Sequence, residues 1–162
     1  MNGVYLITGG NMGDRKKNLS DAQKLLEDML GTAKGVSNIY ETAAWGREND
    51  PAYLNQVLFF ETRLSASDIL EFCLSVEKKM GRYRQTRWES RSIDIDLLFY
   101  NDAIIQEVAL QIPHPYLHQR RFVLTPLAEL APDFIHPVLR KSIKQLLQEC
   151  EDPLACEIYT LD

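Results

Sequence analysis

Apolar and polar positions change period several times along this chain, and each change predicts an element. Val4 to Thr8 is a short β-type run ending in Gly9-Gly10-Asn11. Leu19, Ala22, Leu25, Leu26, Met29 and Leu30 then recur at helical spacing, with Gly31 placed to end the helix. Val36 to Thr42 predicts a second strand. The polar loop Gly46-Arg47-Glu48-Asn49-Asp50-Pro51 separates it from a third, Tyr53 to Leu64, rich in Phe, Val, Leu and Thr. Ser65 reads as a helix N-cap with Asp68 as its capping-box acid. Ile69, Cys73, Val76 and Met80 form the apolar stripe and Gly81 the stop.

Ile93 to Phe99 predicts the next strand, Asn101-Asp102 a tight turn, and Ala103 to Ile105 the start of a short return strand. Leu110-Gln111-Ile112 predicts one more, and Pro113-His114-Pro115 forces a loop. Helical turns follow, broken near Pro126 and Pro132. Ile143, Leu146, Leu147 and Cys150 predict a last helix, and Cys156 to Leu161 a terminal strand. This order predicts an α+β fold with a ferredoxin-like β-α-β-β-α-β core, an antiparallel sheet and C-terminal helices. The chain shows no repeat, low-complexity segment or internal boundary, so a single domain over residues 1–162 is expected.

Composition narrows the function classes. Hydrophobic residues make 45% and charged residues 25%, which excludes a disordered chain or a coiled-coil rod. Lys+Arg is 18 against Asp+Glu 23, a net charge of -5, which argues against a bulk nucleic-acid binder. Cys73, Cys150 and Cys156 are odd in number and lack CxxC spacing, so free thiols in a reducing compartment are expected. Met1-Asn2-Gly3-Val4-Tyr5 has no signal-peptide pattern, and no apolar run approaches the ~20 residues needed to cross a bilayer. A cytoplasmic protein without a membrane partner is expected.

The sharpest chemical feature is Ser92-Ile93-Asp94-Ile95-Asp96-Leu97-Leu98-Phe99. Strand side chains alternate, so Asp94 and Asp96 share one face and Ile93, Ile95 and Leu97 the other. Two such carboxylates suit a hard cation that also takes phosphate oxygens and water. The competing reading is an acidic solvent face, which the scarcity of Asp in strands weakens. Just upstream lie Lys78, Lys79, Arg82, Arg84, Arg87 and Arg91 against one acid, Glu89. A basic island beside a metal-type pair suits a polyphosphate. The alternative is a solvated loop or a nucleic-acid patch. Trp88 inside the island is placed to cover a flat ligand.

Other residues are less specific. Gly9-Gly10-Asn11-Met12-Gly13 is a weak dinucleotide match, because Thr8 stands where a first glycine belongs. The glycines make either a plain turn or a close backbone approach to a ligand. Tyr53 and Asn55 share a strand face, which suits a flat heterocycle, although for this pair taken alone a core tyrosine and a strand-edge asparagine is the stronger reading. His114, His118 and His136 have no metal-ligand spacing; His114 follows a proline and is a candidate phosphate contact. Glu77, one turn before Gly81, reads as a helix-surface acid.

Together these segments resemble the 6-hydroxymethyl-7,8-dihydropterin pyrophosphokinase family of folate biosynthesis. The resemblance runs through Thr8-Gly9-Gly10-Asn11, Tyr40-Glu41-Thr42, Tyr53-Leu54-Asn55, Glu77 and Gly81-Arg82-Tyr83-Arg84. It continues through Arg87-Trp88, Arg91-Ser92-Ile93-Asp94-Ile95-Asp96, Pro113-His114-Pro115 and Arg120-Arg121-Phe122-Val123-Leu124. It implies transfer of pyrophosphate from the co-substrate ATP to the pterin's hydroxymethyl group, with AMP released. It implies two magnesium ions on Asp94 and Asp96, and Arg84 and Arg91 beside them as catalytic groups. Glu77, Arg84, Arg87, Trp88, Arg91, His114 and Arg120, with the backbone at Leu97 and Gln111, would bind ATP. Gly9, Thr42, Ala43, Trp45, Tyr53, Asn55, Trp88 and Phe122 would bind the pterin, its ring between Tyr53 and Phe122. Small-molecule partners, no nucleic acid and a monomer follow. Gly10, Ala43-Ala44 and Pro115 depart from many relatives; none touches the aspartate pair.

Two other readings compete: a non-catalytic nucleotide- or RNA-binding module on a ferredoxin-like sheet, and a nucleotidyltransferase that releases pyrophosphate. The acidic total charge and the aspartates on a strand oppose the first. The nucleotide product separates the second.

Overall fold

Local sequence sets the element ends. In the computed structural model, which describes residues 1–43, 51–81 and 92–160, β1 (Asn2–Gly10) leads into α1 (Arg15–Leu30). Asp14 caps α1 by accepting the Lys17 N–H, and Gly31 leaves it with φ 85, a conformation glycine adopts freely. Next come β2 (Gly35–Val36), β3 (Tyr40–Thr42), β4 (Tyr53–Thr62) and α2 (Ala66–Lys79). The Ser65 hydroxyl accepts the Asp68 N–H at the start of α2 as the capping pattern predicts, and Gly81 follows its end at φ 87. The chain continues as β5 (Asp94–Tyr100), β6 (Ile105–Gln106), β7 (Gln111–Ile112), α3 (Arg121–Leu130), α4 (Ile143–Glu149) and β8 (Cys156–Ile158).

The main sheet runs β5-β1-β4-β3-β8, and β2 pairs with β4. Every pairing in it is antiparallel. The result is an α+β fold with helices on both faces. Val4, Leu6, Leu54, Leu58, Phe60, Ile95 and Leu97 pack under α1 and α2. Ile7, Val57, Leu98 and Phe99 pack under α3 and α4.

Four sequence expectations change. The strand expected over Val36 to Thr42 is broken in two, because the Asn38 N–H turns to the Glu129 carboxylate (2.9 Å) and leaves the ladder. Pro126 does not break the chain's helical turns: it is buried inside α3, where it removes only the N–H that Phe122's carbonyl would accept. The return strand does not run back along β5; β6 pairs with β7 in a separate two-stranded sheet. The terminal strand is the short β8, hydrogen-bonded to β3. Residues 44–50, which hold most of the polar segment from Gly46 to Pro51, the basic island at 82–91 and residues 161–162 lie outside the described residues, and with them Trp45, Arg84, Arg87, Trp88 and Arg91.

Candidate active site

The register across the sheet sorts the candidate residues. Asp94 faces Gly9, Gly9 faces Asn55, and Asn55 faces Tyr40. Directly paired residues point to the same side, so these four form one row. Asp96, Ile7 and Val57 form the next row, and Thr42 pairs with Tyr53 two residues further along β3 and β4. Ile7 and Val57 belong to the core under α3 and α4. Asp94, Asp96, Asn55, Tyr53 and Thr42 therefore share that face. Asp94 is half-buried and Asp96 exposed. Ile93, Ile95 and Leu97 fill the opposite core, as strand alternation predicts.

A β-bulge falls at Leu98. The β1 register steps from Phe99 opposite Tyr5 to Leu97 opposite Leu6, leaving Leu98 unpaired with β1. Its carbonyl accepts the His114 N–H at 3.1 Å, which moors the Pro113-His114-Pro115 loop beside the aspartate strand. The His114 Nδ1 accepts the Tyr116 N–H at 3.3 Å. Burial first, then the Arg120 charge, pull the imidazole down to about 4. The ring is neutral near pH 7, with Nε2 carrying the proton and free to donate. The Arg120 guanidinium lies over the Tyr116 ring at 5.3 Å and the Phe122 ring at 5.9 Å. Phe122 sits half-buried in the first turn of α3.

Glu77 is not a surface acid. It is 3% exposed, and its Oε2 accepts the N–H of Ile95 at 3.0 Å, between the two aspartates. Burial, then Glu77 and Asp96, push the neighbouring Cys73 thiol up to about 12. Leu97 has its side chain in the core, so only its backbone faces outward; Gln111 is exposed on β7, and Ala43 is exposed just past β3. Among the described residues the buried Thr42 hydroxyl finds no hydrogen-bond partner of ordinary geometry, although the Cys156 thiol lies beside it. A buried hydroxyl in that condition is where a ligand's polar edge gains most.

Sequence reasoning missed two anchors of this face. Glu129 on α3 accepts from the Tyr40 hydroxyl at 2.7 Å and from the Asn38 N–H and amide, tying the helix to β3. Arg121 donates to the carbonyls of Asp152 (3.1 Å) and Cys150 (3.0 Å), while the Asp152 carboxylate accepts the Arg121 N–H at 3.0 Å. No local pattern signals pairs so distant in sequence.

The sequence profile of a family described as 7,8-dihydro-6-hydroxymethylpterin-pyrophosphokinase matches residues 5–132. The 2-amino-4-hydroxy-6-hydroxymethyldihydropteridine pyrophosphokinase of Aquifex aeolicus is 42% identical over 146 residues, covering 90% of this chain and 91% of its own. The Bacillus subtilis protein of the same name is 39% identical over 132 residues, covering 80% of this chain and 79% of its own. Among solved structures, the wild-type HPPK-DHPS of Plasmodium falciparum superposes with a TM-score of 0.73 at 18% identity, over 92% of this chain. The match spans only 43% of that longer chain, so the likeness speaks to fold alone.

Proposed function

The chain belongs to the 7,8-dihydro-6-hydroxymethylpterin-pyrophosphokinase family, and from that premise we propose how its own residues transfer pyrophosphate from ATP to the hydroxymethyl group of 6-hydroxymethyl-7,8-dihydropterin. The observation that carries the reading is the row Asp94, Gly9, Asn55. A cation-type carboxylate and a heterocycle-reading amide flank one glycine, two strands and about 10 Å apart. That spacing supports a phosphate chain and a pterin lying side by side over a single patch of sheet.

Asp94 and Asp96 fit magnesium, which takes one or two protein carboxylates and completes its shell with phosphate oxygens and water. Among the described residues no group of three His, Cys, Asp or Glu gathers into an all-protein cage. Two ions there would supply neutralisation of phosphate charge. Tyr53 and Phe122 stack the pterin; Asn55, the Thr42 hydroxyl and the backbone at Ala43 and Trp45 read its edge. His114 presents its Nε2–H, and Arg120 its fork, to phosphate oxygens. Arg84, Arg87 and Arg91 grip the phosphate chain and Trp88 covers the site. The backbone at Leu97 and Gln111 meets adenine. Glu77 acts one step back, by holding the strand that carries both aspartates.

The pterin hydroxyl oxygen then attacks the β-phosphorus and its proton passes to solvent. The bond from that phosphorus to the α-bridging oxygen breaks, and AMP leaves. Positioning and charge do most of the work in such transfers, so no strong base is required. Three free thiols fit a cytoplasmic enzyme, which we take to act as a monomer. The test is to mix protein, magnesium, ATP and 6-hydroxymethyl-7,8-dihydropterin and separate the nucleotides. Pterin-dependent AMP equal to the pterin diphosphate formed is expected. ADP, free pyrophosphate, or AMP without pterin would overturn the proposal.

A further inference from the structure

Gly9 sits next to the C-terminal end of β1, paired on both sides. A glycine there weakens a strand, since it adds backbone freedom and packs nothing. Its backbone conformation does not call for glycine: the described glycines with positive φ are Gly13, Gly31 and Gly81. Space does. A Cβ built on Gly9 would collide with Oδ1 of Asn55, and would stand 3.1 Å from Asn55 Cγ and 3.1 Å from the Leu54 carbonyl. At the other end of the same strand, Gly3 makes similar room for the Phe59 ring, 3.1 Å from its would-be Cβ, which is plain packing. At Gly9 the group that takes the space is a polar amide in the row that ends at Asp94.

We infer that Gly9 is a positioning residue that acts through Asn55. Its bare Cα lets the Asn55 side chain lie down over β1 toward Asp94, which aims the amide along the line joining the pterin and the phosphates. The inference rests on the proposed pterin site. Any side chain at residue 9 would lift the amide off the sheet and withdraw it from the pterin edge, while the aspartates keep their own strand. Gly9 thus serves specificity for the heterocycle and leaves the nucleotide's affinity alone.

A double-substitution cycle tests this. Pterin and a non-hydrolysable ATP analogue are titrated calorimetrically into the native protein, Gly9→Ala, Asn55→Ala and the pair. Gly9→Ala is expected to weaken pterin binding about tenfold or more, the loss of one well-aimed polar contact, and to leave the ATP analogue within about threefold. In the Asn55→Ala background Gly9→Ala should change pterin affinity by less than about twofold, because the colliding amide is gone. Melting temperatures read the same cycle without ligand. Gly9→Ala should lower the melting point by several degrees alone and recover most of that loss when Asn55 is also alanine, the Leu54 carbonyl contact being common to both backgrounds. A single variant too unstable to titrate, with a pair that folds, supports the inference. Equal pterin losses in both backgrounds, or equal melting losses, would overturn it. Failure of the underlying site reading looks different: the native protein would not bind pterin, while the melting cycle still reports whether Gly9 acts through Asn55.

Discussion

The Glu77 carboxylate accepts the Ile95 N–H at 3.0 Å from inside the core, midway between Asp94 and Asp96. Helix α2 thereby holds the strand that carries both acids. Glu77→Ala should cost about 1–3 kcal/mol of stability, the penalty of a buried N–H left without its acceptor. It should also raise the magnesium needed for half-maximal rate. Glu77→Gln keeps an acceptor oxygen and should do less of both. Thermal melts and magnesium titrations check this; an alanine variant with native melting point and native magnesium response refutes it.

Asp94→Ala and Asp96→Ala should each abolish most turnover and leave the melting temperature nearly unchanged, since one side chain is half-buried and the other exposed. Near-normal rates at saturating magnesium would refute the metal assignment.

Tyr53→Ala and Phe122→Ala should weaken pterin binding more than ATP binding. Aromatic contacts are worth about 0.5–1.5 kcal/mol beyond burial, so losses of several-fold upward are expected once burial is included. Calorimetry with each ligand decides, and equal losses for both would point to general misfolding.

Acid should destabilise the fold over a defined range. His114 and His136 are each pulled from 6.5 down to about 4, chiefly by burial. His136 Nδ1 accepts the Val138 and Leu139 N–H groups, which protonation would oppose. Between about pH 6.5 and 4 the unfolded chain binds more protons at these sites than the folded one, so stability falls as pH drops through that range. Melting curves against pH should show the slope, and His114→Gln and His136→Gln should each flatten it. An unchanged slope in both variants would show that other groups set the acid limit.

Adjacent arginines should separate by phenotype. Arg121→Ala removes donors to two backbone carbonyls of the C-terminal segment and should cost about 1.5–3 kcal/mol. Protease sensitivity of that segment should rise with it. Arg120→Ala should spare the melting point and weaken ATP binding. The reverse pattern in melts and titrations would exchange the two roles.

Much of this was legible in the sequence because neighbours in the chain decide it. Leu19, Ala22, Leu26 and Leu30 face the core at helical spacing, the Ser65 cap is local, and the Asp94/Asp96 alternation needs only a strand. Glu77 had a readable signal that a polar label hides: it stands four residues after Cys73, on the buried stripe of α2. The break at Ser37–Ile39 was not legible, because the acceptor that diverts Asn38, Glu129, lies 91 residues away. A separation of 89 residues hides the Tyr40 bond, and the packing of its own Val123, Leu124 and Leu127 against the sheet lets α3 carry Pro126. Where the candidate site depends on rows across strands, as at Gly9 and Asn55, the partners meet only through folding.

The unpaired residue at Leu98 is one more than the sheet's pairing needs. It shifts the strand's alternation by one, so that Leu98 and Phe99, although consecutive, both enter the core under α3 and α4. Toward the strand's start, the same shift leaves Asp94 and Asp96 on that side and Ile95 and Leu97 on the other. Asp94 to Tyr100 carries one residue more than the segment from Val4 to Gly9 that it faces. Deleting Leu98 would therefore restore unbroken pairing and leave both aspartates, Phe99 and Tyr100 on their own sides. The loss falls elsewhere: a side chain leaves the core under α3 and α4, and the His114 N–H loses the carbonyl that holds its loop. The extra residue thus serves the loop, and the count from Asp94 to Tyr100 should be kept wherever the His114 loop is kept.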